Sequence, residues 1–258
     1  MRSRATCLLL CTLLLAGCQA APSALPAKTA QELLAEQPID DTHDAFLVDT
    51  GGQLGTLLVT PELGTEREGR EVSMRLSVWN PADMSQPIQT QDWTTVSFGV
   101  HEIVDVNFDG YSDFTYLYTQ GVQVGVYHCM VWDEEQGLFT EVPAYFQIPS
   151  PHLDAETETI SGWSRSSGAG DGWTPIYRWI GGELVCVRQI ETFLKERSDP
   201  NTPFVLTVED RVDGQLTEVY RAEFPTGSSA YLTEQLKWED LDYHGAPTEH
   251  ETRKEKSP

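Results

Sequence analysis

The feature that most limits how this chain can fold is its rhythm. From about residue 45 onward, short apolar runs alternate with polar positions and are cut roughly every eight to twelve residues by Gly, Pro, Asp or Asn. Side chains alternate between the two faces of a strand, whereas a helix repeats its faces every 3.6 residues or so, so this period of two predicts strands. In the run 72–79, Val72, Met74, Leu76 and Val78 fall on one face, and Ser73, Arg75 and Ser77 on the other. The apolar face is expected to pack inward. Comparable runs lie at 46–48, 56–59, 95–105, 113–118, 124–132, 138–142, 157–163, 175–180, 184–190, 204–208 and 216–222. The prediction is an all-β fold, an antiparallel meander closed as a sandwich, a barrel or a propeller-like array, and the pattern does not choose among the three.

Turn chemistry supports the same reading. Gly181-Gly182 and Asp213-Gly214 supply the positive φ angles that a two-residue hairpin turn demands. Residues 133–137, Asp-Glu-Glu-Gln-Gly, form a longer turn. Residues 41–243 read as one β-rich domain, and 244–258 as a disordered charged tail.

The first residues belong to a different regime. Arg2 and Arg4 precede an apolar stretch, 5–16, that is too short for a stable membrane span. It ends in Leu15-Ala16-Gly17-Cys18, which resembles the bacterial lipobox, where the Cys becomes the lipid-modified first residue. Residues 1–17 are thus expected to be a lipoprotein signal peptide and Cys18 the lipidation site. Residues 18–40 read as a Pro- and Ala-rich tether followed by a short helix, with Thr29 as N-cap, Glu32 as its capping-box partner and Pro38 beyond its end. The expected location is extracytoplasmic, lipid-anchored to a bacterial membrane; whether the source has one membrane or two stays open.

Charge narrows the partners. Lys and Arg total 17 against 40 Asp and Glu, a net charge of −23, which excludes the basic face that nucleic acid requires. No nucleophile elbow or phosphate loop is present, and the His and Cys residues lack zinc-site spacing. Cys129 and Cys186 could form a disulfide or remain buried thiols, and the sequence leaves both open. Paired acids such as Glu239, Asp240 and Asp242 keep a glycan hydrolase as an alternative, although close acids are expected by chance in so acidic a chain.

The nonapeptide Asp105-Val106-Asn107-Phe108-Asp109-Gly110-Tyr111-Ser112-Asp113 carries the most chemistry. Calcium takes six to eight oxygen ligands, and side chains at alternate positions of a tight loop can converge on one point. Asp105, Asn107 and Asp109 occupy such positions, Gly110 allows the sharp turn, the Tyr111 carbonyl is the backbone ligand, and Asp113 closes the site. Tyr116 stands where a helical calcium hand would need its last acid, and strand-like runs flank the loop on both sides.

Such a loop between strands resembles the FG-GAP type. With the Val-Trp-Asp at 131–133, Phe139, the run 161–165 and Tyr177 to Leu184, the region 96–191 resembles bacterial lipoproteins bearing a single FG-GAP-type (VCBS-like) calcium-loop domain. That family includes immunity lipoproteins similar to lysozyme inhibitors. The resemblance implies a non-enzymatic binding domain with one structural calcium ion, whose partner is a protein or a cell-wall component. An immunity-type inhibitor of a cell-wall hydrolase is an alternative, and no inhibitory motif carries over residue by residue. The Gly-rich segment 166–173 could present Trp163, Arg165 and Trp173 as an interaction loop. Oligomeric state is not legible.

Overall fold

A computed structural model describes residues 45–68, 70–97, 99–122, 124–165 and 171–245. The expected signal peptide, Cys18, the tether with its short helix, residues 166–170 and the tail from 246 lie outside the described residues.

Three antiparallel sheets follow one another along the chain. The first contains β1 (Phe46–Asp49), β2 (Thr56–Glu68), β3 (Glu71–Trp79) and β4 (Gln89–Thr95), paired in that order. The second contains β5 (His101–Val104), β6 (Asp113–Gln120), β7 (Gly125–Asp133) and β8 (Leu138–Glu141), again in chain order. The third runs β9 (His152–Asp154), β10 (Thr159–Ser161), β12 (Gly172–Ile180), β13 (Glu183–Leu194), β14 (Phe204–Val212) and β15 (Gln215–Phe224), with β11 (Ser164–Arg165) also on β12. The helix α1 (Ala230–Trp238) follows.

The sheets stack. Phe46, Leu57, Met74, Leu76 and Val78 of the first sheet meet Phe114, Tyr116, Met130 and Trp132 of the second in one core. Cys129 and Val131 on the opposite face of β7 join Ile160, Tyr177 and Leu184 of the third sheet in another. Trp238 of α1 covers Ile176, Ile190, Leu206 and Val208 in a third. The second sheet is therefore covered on both faces, which is why Cys129-Met130-Val131-Trp132 is continuously apolar instead of alternating. Burying each of its large side chains contributes roughly 1.5–3 kcal/mol.

Among the described residues no sheet closes into a barrel, and the arrangement is sandwich-like. The expected inward face of 72–79 is buried at Val72, Met74, Leu76 and Val78. Gly181 and Gly182 take φ angles of 61° and 86°, and Asp213 and Gly214 take 50° and 83°, as the hairpin turns require.

Two expectations are corrected. The run 95–105 is not one strand: β4 ends at Thr95, the amides of Val96 and Ser97 both donate to the Tyr118 carbonyl, and β5 starts at His101. The chain crosses from the first sheet to the second there. The helix Ala230–Trp238 was not expected, because its exposed Leu232 and Leu236 blur the apolar stripe that would have marked it. Among the described residues no helix is long and apolar enough to cross a membrane.

Candidate functional site

The nonapeptide links β5 to β6, whose ladder closes at the pair Val104 and Asp113. Its short polar side chains fold the backbone onto itself, as Asp and Asn do in turns. Asp105 accepts hydrogen bonds from the amides of Asp109 (3.1 Å) and Gly110 (2.9 Å). Asn107 Oδ1 accepts from the Asp109 amide at 3.2 Å, while its Nδ2 donates to Asp109 Oδ2 at 2.7 Å. Asp109 Oδ1 in turn accepts from the Tyr111 amide at 2.9 Å. Phe108 and Gly110 adopt φ angles of 60° and 91°, and the glycine is placed where a side chain would strain the backbone.

Asp113 behaves differently. It is 0% exposed, and its oxygens accept from the amides of Val106 (2.7 Å) and Trp132 (2.8 Å). The carboxylate thus ties the loop to β7 in the central sheet. Burial pushes its pKa up to about 7; the two amides oppose that shift, and the nearby charges of Asp109 and Asp105 add to it. So enclosed a carboxyl cannot touch a substrate, whatever its protonation.

The structure brings Asp105, Asn107 and Asp109 together in one turn, places Tyr111 next to them, and directs Asp113 inward. Among the described residues no three acidic, His or Cys side chains form a ready metal cage. In kind, the donor set fits a hard cation. It is all oxygen, and each oxygen of Asp105 and Asp113 takes a single amide hydrogen bond, which leaves a lone pair.

The loop forms one rim of a groove of about 860 Å3 between the second and third sheets. Asn107, Asp109 and Tyr111 line it from the loop, residues 131–136 from the end of β7 and its turn, residues 140–144 from β8 and beyond, and Trp179 with 182–184 from the β12–β13 hairpin. Trp132 and Leu184 are buried, forming its floor. Trp179 is fixed by donating its indole N–H to the Val106 carbonyl at 2.9 Å, a direct link between the hairpin and the loop. Sequence reasoning took 133–137 only as a turn and 181–182 only as a hairpin. Their convergence over some 50 residues has no local signature.

Of the expected interaction residues, Trp163 and Arg165 meet, whereas Trp173, paired with Ser164, falls on the other face of the ladder. Ser164 pairs with Trp173 and Arg165 with Gly172, while the Arg165 guanidinium lies 5.8 Å from the ring centre of Trp163, which is 42% exposed. Cys129 and Cys186 are free thiols, and burial pushes the Cys129 thiol well up. Asp240 is engaged structurally: its carbonyl accepts from Arg188 and its side chain from the Asp242 amide.

No family model matches this chain, and no curated protein matches it. Among solved structures, it is similar to a Xanthomonas protein described as related to a type IV secretion system, with 13% identity and a TM-score of 0.44, over 68% of this chain and 93% of that one. It is also similar to a Bacteroides fragilis protein of unknown function, with 9% identity and a TM-score of 0.24, over 64% of this chain and 92% of that one. At these levels of similarity neither protein lends a role to this chain.

Proposed function

We propose that this chain is a non-enzymatic binding domain, lipid-anchored through Cys18 outside the cytoplasm, that engages a protein or a cell-wall component and is braced by one calcium ion at Asp105, Asn107, Asp109, Tyr111 and Asp113. The observation that carries the reading is the charge at the mouth of β6. Burial does most to raise the pKa of Asp113 and the nearby charges of Asp109 and Asp105 add to it, while the hydrogen bonds that these three carboxylates accept come from backbone amides and the Asn107 side chain. A divalent cation relieves that repulsion where amides alone do not. Such an ion would lock the loop that joins β5, β6 and β7 and that meets Trp179 of the third sheet. Its role would be to hold two sheets in register beside the groove.

Thermal unfolding of the full chain in mild detergent, in EGTA and in millimolar calcium, tests this. At a hundredfold excess over Kd, linkage predicts about 2.7 kcal/mol of stabilisation, or roughly 5–10 °C for a domain of this size. The shift should vanish in Asp109→Ala. A wild-type chain indifferent to calcium overturns the ion site.

A further inference from the structure

We propose that the groove between the second and third sheets is the docking site for a Lys- or Arg-bearing segment of a protein partner. This rests on the reading of the chain as a binding domain and gives that domain a surface and a ligand chemistry.

Among the described residues the groove is lined by Asp133, Glu134, Glu135, Glu141 and Glu183, beside Asp109 of the proposed calcium loop, and by no Lys or Arg. Asp133, Glu134 and Glu141 are fixed by neutral donors, whereas Glu135 and Glu183 are exposed. Glu134 accepts from the Gln53 amide at 3.0 Å and the Trp132 indole at 2.9 Å. Glu141 accepts from the Trp93 indole at 2.9 Å and Gln91 at 3.2 Å, and Asp133 accepts from the backbone and side chain of Gln136. His128 stands 3.8 Å from Glu141, and burial favours its neutral form. The ion pairs made by Lys and Arg among the described residues, Arg75–Asp92, Arg188–Asp210, Lys195–Glu223, Arg221–Glu218 and Lys237–Glu234, all lie on the first sheet, the third sheet or α1, away from this lining.

The charge of Asp133, Glu134 and Glu141 is therefore oriented but not neutralised by Lys or Arg. Carboxylates already held by neutral donors lose little side-chain freedom when a cation arrives, which favours binding over an equal number of mobile surface acids. Low-dielectric walls concentrate the field of like charges in a cleft, so a cationic segment would be steered in. Trp179 and Tyr111 line the same space, and aromatic faces attract guanidinium and ammonium groups. A volume of about 860 Å3 lies within the range of roughly 300–1,000 Å3 typical of ligand clefts, enough for a few side chains.

The test is fluorescence anisotropy of the full chain, in mild detergent, with a labelled twelve-residue peptide of alternating Arg, Lys and Gly and a matched Glu peptide. Glu135 and Glu183 are exposed, so Glu135→Gln/Glu183→Gln removes groove charge with little risk to the fold. Glu62→Gln/Glu156→Gln removes the same charge from exposed positions elsewhere. Saturable binding of the basic peptide is expected, weakened about tenfold by the groove pair, within twofold of wild type for the other pair, and weakened further at high salt. Equal weakening by both pairs, or no binding of the basic peptide at low salt, overturns the groove assignment while the binding-domain reading stands. Incubation with purified cell-wall glycan separates the two. Release of reducing ends that is lost in Glu135→Gln/Glu183→Gln would overturn the binding-domain reading itself and make the groove acids catalytic.

Discussion

Two buried ionisable groups in this molecule are treated in opposite ways. Arg188 on β13 is 1% exposed, and its guanidinium is nearly saturated: Nε and Nη2 donate to Asp210 at 2.6 and 2.8 Å, and Nη1 donates to the carbonyls of Trp238 and Asp240 at 3.0 and 2.8 Å. It also lies 5.1 Å from the ring centre of Trp238. Asp113 at the start of β6 is equally enclosed, yet its two acceptor bonds come from neutral amides and its charged neighbours share its sign. The first network is closed and fastens α1 to the third sheet. The second has no cationic partner, and it lies beside the loop whose oxygens suit a cation. A closed network reads as architecture; a deficit of charge marks a place where something can be added.

The largest effect should come from breaking the closed network. Arg188→Met strands Asp210 and two carbonyls, and removing one partner of a buried ion pair costs about 3–5 kcal/mol. Chemical denaturation should show that loss, and Arg188→Met/Asp210→Leu should recover most of it. A single variant costing under about 1 kcal/mol would erase the contrast. Asp113→Asn comes next. An amide has one acceptor oxygen, so its NH2 must face the N–H of Val106 or Trp132, at a cost of about 1–3 kcal/mol in EGTA. A variant more stable than wild type in EGTA would show that the like charges, not the missing acceptor, dominate at this position.

The smallest expected effect concerns His128, which stacks on Trp93 with ring centres 4.3 Å apart. Burial lowers its pKa, against the opposing pull of the Thr94 carbonyl and Glu141. A depressed folded-state pKa means that stability is fully present above the unfolded value near 6.5 and is lost as the pH falls through the folded value. His128→Gln should flatten the fall in denaturation midpoint between pH 7.5 and 5. An unchanged slope would move that dependence to other groups.

Much of the fold was legible because its physics is local. The period of two at 72–79 and the glycines at 181–182 declare a strand and a hairpin within a few residues. What stayed hidden depends on distant partners. Gln89–Thr95 has few apolar residues, and it is a strand because it pairs with β3 along seven residues and because Trp93 reaches Glu141. The role of Arg188 depends on Asp210 and on carbonyls some fifty residues later in the chain. At the candidate site, Asp105, Asn107 and Asp109 could be read from their spacing. The inward turn of Asp113 could not, because the amide that holds one of its oxygens belongs to Trp132.

The nearly sequential pairing of strands has a consequence for how the molecule assembles. Nearly every ladder joins strands adjacent in the chain, so each sheet can zip up from its own hairpins over short loops, and the entropy of closing long loops falls mainly on docking sheet against sheet. The expected order of events is hairpins first, sheets second and stacking last. The second sheet, packed on both neighbours, is expected to set the pace, so that a lesion at β6 or β7 slows refolding in stopped-flow where the same lesion on the outer strand β15 mainly speeds unfolding.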